Sequence, residues 1–286
     1  MDWTINGRSI LVTGGSSGIG KATAMALAAS GGCVTITSRS ASRAKAAAEE
    51  IRQATGTSVS TLVVDFASLE SVRSAAARFV DTHSELVVLV NNAGVVKGSV
   101  SRTVDGHETT FATNHLGPFL FTSLLVDLLV ASAPARVINT SSVAHTYAKE
   151  GIVFDDLNFR HRRYKFMEVY GHSKLANILH VQETNNRFGS RGITAVAVHP
   201  GVVRTGLGSG GDSFLVGWAE RLGGRWMRTP QQGADTIVWL ATEPHIDTSE
   251  GCYFEDRKPS RSTHHARDMD QASRLWDVST RLTAGS

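Results

Sequence analysis

The chain has 286 residues, 41% of them hydrophobic and 19% charged, with a formal net charge of +3. That size and balance predict one globular domain over 1–286. The small charge, without a long basic run, gives no electrostatic case for nucleic acid or anionic lipid as a partner. The two cysteines, Cys33 and Cys252, form no motif, which predicts a reduced, cytoplasmic protein. The N-terminus runs almost directly into a strand, a start that predicts no signal peptide. The longest apolar stretch, around 116–133, holds Pro118 and Asp127 and reads as a buried helix rather than a transmembrane segment.

Residues 9–13 form a short apolar strand, followed by Gly14-Gly15-Ser16-Ser17-Gly18-Ile19-Gly20 and an alanine-rich helix over 21–30. A strand, a glycine turn and a helix in that order can hold a pyrophosphate on the helix N-terminus. Gly14, Ser16, Ser17, Gly18, Ile19 and Gly20 are the candidate contacts, although their spacing is not the common G-x-G-x-x-G. The second strand, 33–37, ends at Ser38-Arg39. An acidic residue there would take the ribose 2′-hydroxyl of NAD. A serine and an arginine suit a 2′-phosphate, which predicts NADP(H), unless Arg39 is only a surface charge.

Helix 41–55, strand 58–64, helix 68–83 and strand 86–90 continue the alternation. Apolar residues Leu69, Val72, Ala76, Phe79 and Val80 recur at a helical period. Short apolar strands between helices predict a doubly wound parallel α/β sheet of Rossmann type. Ligands of such sheets bind at the carboxyl ends of the strands, where Asp65, Phe66, Asn92, Ala93 and Gly94 fall. A long helix over 109–131 carries Asn114, a mediocre helix former suited to a local kink or a water site. Strand 135–140 ends in Ser141-Ser142, two hydroxyls that can polarise a carbonyl or cap the next turn.

Tyr170 and Lys174 stand four apart on a helix reaching Phe188, on one face and one turn apart. A cation beside a phenol favours the phenolate and makes a proton donor usable near neutrality. Strand 193–198 leads into His199-Pro200-Gly201-Val202-Val203-Arg204-Thr205. A helix over 230–241 and a strand over 252–254 follow, with a C-terminal extension over 255–286. Between them, Leu207–Met227 joins a glycine-rich hinge to Phe214, Trp218 and Trp226. That composition fits a lid over an apolar substrate, a core helix or an oligomer contact.

Taken together, TGGSSGIG (13–20), Asp65, NNAG (91–94), Asn114, Ser142, YxxxK (170–174) and the PG…T element (200–205) resemble the short-chain dehydrogenase/reductase family. The likeness covers nearly the whole chain. The runs ATNHLGPFLFT, SAPARVINTSSVAH, YGHSKLANIL, AVHPGVVRTGL, GCYFEDRK and RLWDVS are similar to retinol dehydrogenase-like members. So is the interval of 28 positions between Ser142 and Tyr170. The resemblance implies that Tyr170 is the acid/base and that Lys174 lowers its pKa and holds the nicotinamide ribose. It implies that Ser142 binds the substrate oxygen and that Asn114 holds a water of a proton relay. Pro200, Gly201, Val203 and Thr205 would contact the cofactor. It also implies a homo-oligomer in which the Asn114 and Tyr170 helices face a second subunit, and no metal site.

The activity expected is NADP(H)-dependent hydride transfer to or from the alcohol or carbonyl of an apolar small molecule. Two other readings share part of the pattern. One is NADPH-dependent reduction of a C=C bond, as in protochlorophyllide reductases, and the other is a non-catalytic NADP sensor or scaffold. The intact Asn114, Ser142, Tyr170 and Lys174 set speaks against the sensor, which needs no proton donor.

Overall fold

The computed structural model of the protein describes residues 3–203 and 227–285. Thr205 and the Leu207–Met227 segment, apart from Met227 itself, lie outside the described residues. The strands are β1 (Ser9–Val12), β2 (Cys33–Ser38), β3 (Ser60–Val63), β4 (Val88–Asn91), β5 (Ala135–Thr140), β6 (Ile193–Val198), β7 (Tyr253–Glu255) and β8 (Lys258–Pro259). They form one sheet in the order β3-β2-β1-β4-β5-β6-β7-β8. Every neighbouring pair from β3 to β7 is parallel; the β7–β8 hairpin alone is antiparallel. This is the doubly wound α/β architecture that the alternation predicts, with an unforeseen antiparallel edge.

Successive strand side chains point to opposite faces, and the apolar strands feed two cores. Ile10, Val12, Val88, Val90, Ile138, Val196 and Val198 pack under α1 (Gly18–Ala29), α2 (Ala41–Thr55) and α6 (Pro230–Thr242). Leu11, Leu89, Val137, Ala195 and Ala197 pack under α3 (Leu69–Thr82), α4 (Thr109–Ala131) and α5 (Phe166–Phe188). Local signals set the helix ends. Ser40 and Ser68 accept from backbone N–H groups of the first turns of α2 and α3, and Gly56 closes α2 in the left-handed conformation at φ 74°. Thr229 and Gln232 cap each other at the start of α6.

Three features depart from the sequence reading. Helix α1 starts at Gly18, so Gly18 and Gly20 belong to its first turn. A further helix, α7 (Met269–Thr283), is capped by Asp268 and packs outside α5 and α4. Helix α4 widens to a π turn over Ala112–Leu116. Pro118 has no N–H to offer the carbonyl of Asn114 four residues earlier, and the helix accommodates the missing bond by this wider turn. Asn114 thus lies in an irregular turn of the helix, four residues before Pro118. Helix α4 is long and apolar enough to span a bilayer, yet 61% of its most apolar window is buried in the protein.

Candidate active site

A cleft of about 340 Å³ opens at the carboxyl ends of the parallel strands, where strand order reverses between β1 and β4. Its wall receives Gly14, Ser16, Ser17, Gly18, Ile19 and Gly20 after β1, Ser38 and Arg39 after β2, and Asp65 and Phe66 after β3. Asn92, Ala93 and Gly94 follow β4, Ser142 follows β5, Tyr170 and Lys174 reach in from α5, and Pro200, Gly201 and Val203 follow β6. The structure thus brings together the residues singled out in the sequence, with two exceptions. Asn114 lies behind the wall, and Thr205 is outside the described residues.

The glycine turn is shaped for close approach. Gly14 has φ +66° and Gly18 φ +52°, which side chains rarely adopt. A Cβ on Gly20 would lie 2.5 Å from the Asn92 Nδ2 and closer still to the Gly14 carbonyl. The N-cap residue Ser17 makes no side-chain cap bond, so the first N–H groups of α1 face the cleft without that partner. They form a ready anion site. Thr13 fixes the opposite wall, because its hydroxyl accepts from the N–H groups of Asn92 (2.9 Å) and Ala93 (3.0 Å).

At the end of β2, Ser16 Oγ donates to Ser38 Oγ over 3.1 Å, tying the glycine turn to the strand. Arg39 is exposed and lines the cleft together with Arg43. Neither guanidinium has an ion-pair partner among the described residues. Lys21, by contrast, is turned to Glu50 at 2.5 Å. The Asp65 carboxylate accepts from the Ala67 N–H over 2.9 Å and so shapes its own turn.

At the far end the two serines separate by role. Ser141 Oγ donates to the Lys174 carbonyl over 2.8 Å and pins α5 to β5. Ser142 Oγ accepts from the Ala144 N–H over 3.1 Å and lies close enough to Tyr170 to lower its phenol pKa in opposition to burial. The Lys174 ammonium donates to the Thr140 carbonyl over 3.0 Å, as does Asn177 Nδ2. Asn114 Oδ1 accepts from Val95 N (2.7 Å), while its Nδ2 donates to the Val95 carbonyl (2.9 Å) and to Ser173 Oγ (3.0 Å). These bonds join the π turn of α4 to α5 behind Lys174.

Burial dominates the electrostatics. It pushes the Tyr170 phenol up to about 12, against the opposing hydrogen bond from Ser142. It pulls the Lys174 ammonium down to about 8. The Lys174 Nζ lies 5.3 Å from the Tyr170 ring centre. Burial sets both directions, the phenol's upward and the ammonium's downward, so the lowering of Tyr170 by Lys174 that the resemblance implies is not seen here.

The conspicuous histidines His115, His172 and His199 are buried. His115 Nε2 is paired with Ser279 Oγ at 2.9 Å, deep in the core. Burial holds the ring of His115 well below the usual range, and those of His172 and His199 down to about 4. The sequence reading missed Thr109 and Thr113, one turn apart at the head of α4, which also line the cleft. The Thr113 hydroxyl is buried without a partner. Their spacing of four on a helix was the available signal. Thr140 was likewise passed over, since a structural threonine at a strand end has no distinctive pattern.

Comparison with known proteins agrees with this geometry. Residues 8–154 match the family model described as short chain dehydrogenase. Retinol dehydrogenase 12 of Mus musculus is 42% identical over 97% of this chain and 87% of that protein. Among solved structures, an uncharacterized protein from Mycobacterium Paratuberculosis superposes with a TM-score of 0.75 at 31% identity, covering 99% of this chain and 98% of that one. A short chain dehydrogenase from Burkholderia cenocepacia J2315, solved in complex with NADP, gives a TM-score of 0.67 at 28% identity, over 85% of this chain and 93% of that one.

Proposed function

This chain belongs to the short-chain dehydrogenase family, in its retinol dehydrogenase-like branch, and is an oxidoreductase; we propose that it interconverts an alcohol and a carbonyl of an apolar small molecule with NADP(H). The observation that carries the reading is the grouping of Ser142, Tyr170 and Lys174 at one end of a cleft whose other end is the glycine turn. The left-handed cradle at Gly14 and Gly18, the uncapped start of α1 and the close approach at Gly20 fit a pyrophosphate. Arg39 and Arg43, free of carboxylate partners among the described residues, fit a 2′-phosphate beside Ser38. The NADP in the Burkholderia relative agrees with that preference. When bound there, the nicotinamide supplies or accepts the hydride.

The protein's own groups do the rest. The Ser142 hydroxyl orients and polarises the substrate oxygen. The Tyr170 phenol, which keeps its proton across the working pH range, gives it to that oxygen in the reductive direction. Lys174, fixed on the Thr140 carbonyl, places a cation beside the phenol and the ribose. Asn114 holds the π turn against α5 and, as part of the proposed relay, lies next to Gly94 and Lys174.

An apolar substrate is supported by Val143 (50% exposed), Tyr147 (46%) and Val202 (48%), which adjoin Ser142, the Tyr170 helix and Gly201. The name of the mouse relative, a retinol dehydrogenase, agrees. The test is a panel of aldehydes, ketones and secondary alcohols followed by NADPH absorbance, with Tyr170→Phe as control. Wild type should turn over bulky apolar carbonyls, and the variant should lose about 10²–10⁴-fold in kcat while binding NADPH within a few-fold. A variant keeping more than a tenth of wild-type kcat/KM would remove Tyr170 from the reaction. Reduction of C=C substrates alone would replace the reading with the reductase alternative.

A further inference from the structure

The stretch that follows Ser142 is held by residues more than a hundred positions later in the chain. His145 Nδ1 lies 2.7 Å from the Ser142 carbonyl, which also accepts from the His145 N–H at 3.0 Å. A carbonyl oxygen can only accept, so Nδ1 carries the proton. In a neutral ring Nε2 is then a bare acceptor, and it receives the Thr263 N–H at 3.3 Å. The ring is buried and stands edge-on to Tyr253, with centroids 5.0 Å apart. Burial holds its pKa below the ordinary value, consistent with the neutral form. Two more bonds run in parallel. His265 Nε2 pairs with the Lys149 carbonyl at 3.0 Å, and the Ile152 N–H donates to Gln271 Oε1 at 3.0 Å.

We propose that His145 is a positioning residue for Ser142, gripping the serine's carbonyl through Nδ1–H while the C-terminal stretch 263–271 fixes the ring in that tautomer. The inference rests on the reading of Ser142 as the group that meets the substrate oxygen. Ser142 caps the short turn Val143–Tyr147, and its hydroxyl direction follows from the orientation of its backbone. Releasing the carbonyl lets the hydroxyl drift from the reacting oxygen, and a displacement of about 1 Å can cost up to roughly a hundredfold in rate. Cofactor binding, set mainly by the β1, β2 and β4 loops, is left in place. This gives the C-terminal extension a role in catalysis without placing any of it in the cleft.

The test uses the full chain with NADPH and a carbonyl substrate that it turns over. His145→Asn keeps a donor where Nδ1–H stood; His145→Gln keeps an acceptor near Nε2 but loses that donor. His145→Gln should lower kcat roughly tenfold, with the KM for both substrates within about threefold, and His145→Asn should recover most of the loss. In a Ser142→Ala background, His145→Gln should cost nothing further, because the group it positions is gone. Equal kcat losses in both variants that track a fall in Tm overturn the proposal, as does an undiminished tenfold loss in the Ser142→Ala background. A Ser142→Ala protein with wild-type turnover removes both the proposal and the reading beneath it. If wild type turns over no carbonyl, the activity reading alone fails, and nitrogen NMR of the histidines still decides the geometry. A Nδ1–H tautomer at His145 supports it and a Nε2–H tautomer overturns it.

Discussion

Burial sets the chemistry of Tyr170 and Lys174 and gives the proposed reaction a definite pH signature. With the phenol pushed up to about 12, Tyr170 stays protonated through any ordinary assay. Lys174, pulled down to about 8, loses its charge as the pH rises through that value. The kcat/KM for carbonyl reduction should therefore be level from pH 6 to about 7, halve near pH 8 and fall further above it. Lys174→Arg, which keeps its charge, should remove the falling limb. A rate that climbs between pH 7 and 9 would show that the lysine charge plays no part. The cofactor preference rests on single residues too. Arg39→Asp sets a carboxylate where a 2′-phosphate is expected, and charge-assisted bonds of about 1.5–3 kcal/mol predict a roughly ten- to hundredfold loss of NADP affinity. Titration of cofactor fluorescence would measure it, and unchanged affinity would make Arg39 a surface charge.

Elements carry the next level, and the β1 turn shows how tightly one is drawn. Gly20 sits in the first turn of α1 with the Asn92 side chain and the Gly14 carbonyl where a Cβ would stand. Gly20→Ala is expected to cost about 1–3 kcal/mol of stability and to weaken cofactor binding, by pushing α1 off the turn. Gly98, around which nothing lies within 4 Å, is the control: Gly98→Ala should stay within about 0.5 kcal/mol. Denaturant melts of the two variants would settle it, and equal stabilities would mean that the turn relaxes freely. The turn was legible in the sequence because glycine position, strand and helix signals coincide there. So were the strand-end motifs at Asn92–Gly94, Ser142 and Pro200–Gly201, since period-two and helical patterns place them at one edge. The antiparallel β8 was not, because two residues offer no periodicity. The pKa order at Tyr170 and Lys174 was not either, because spacing gives proximity and says nothing of desolvation. The π turn was half visible, since Asn114 and Pro118 were both noted but their interval of four was not connected to a lost hydrogen bond.

At the scale of the molecule, helix α7 decides which surfaces are free. An oligomer was expected from the resemblance because the outward faces of α4 and α5 would otherwise be bare. Helix α7 lies on both. Trp276 meets Phe119 edge-on at 5.0 Å, lies 5.8 Å from His180 and 6.1 Å from Phe188, and carries the Arg187 guanidinium over its ring at 4.8 Å. Ser279 pairs with His115, the neighbour of Asn114, and Arg73 donates to the Thr283 carbonyl. The apolar positions Ala272, Leu275 and Trp276 recur at helical spacing behind the Asp268 cap, with the small Ser279 on the same face, a signal present in the tail but read only as a family likeness. Helix α7 covers part of this face from within, which reduces the apolar area that a second copy could gain there. Light scattering at micromolar concentration should therefore give the mass of one chain, 30.6 kDa. Trp276→Asp should lower stability by about 3 kcal/mol and raise the apparent mass, because Phe119 and Phe188 lose their cover. A wild-type dimer that dissociates on Trp276→Asp would reverse the conclusion and make α7 part of an interface between subunits.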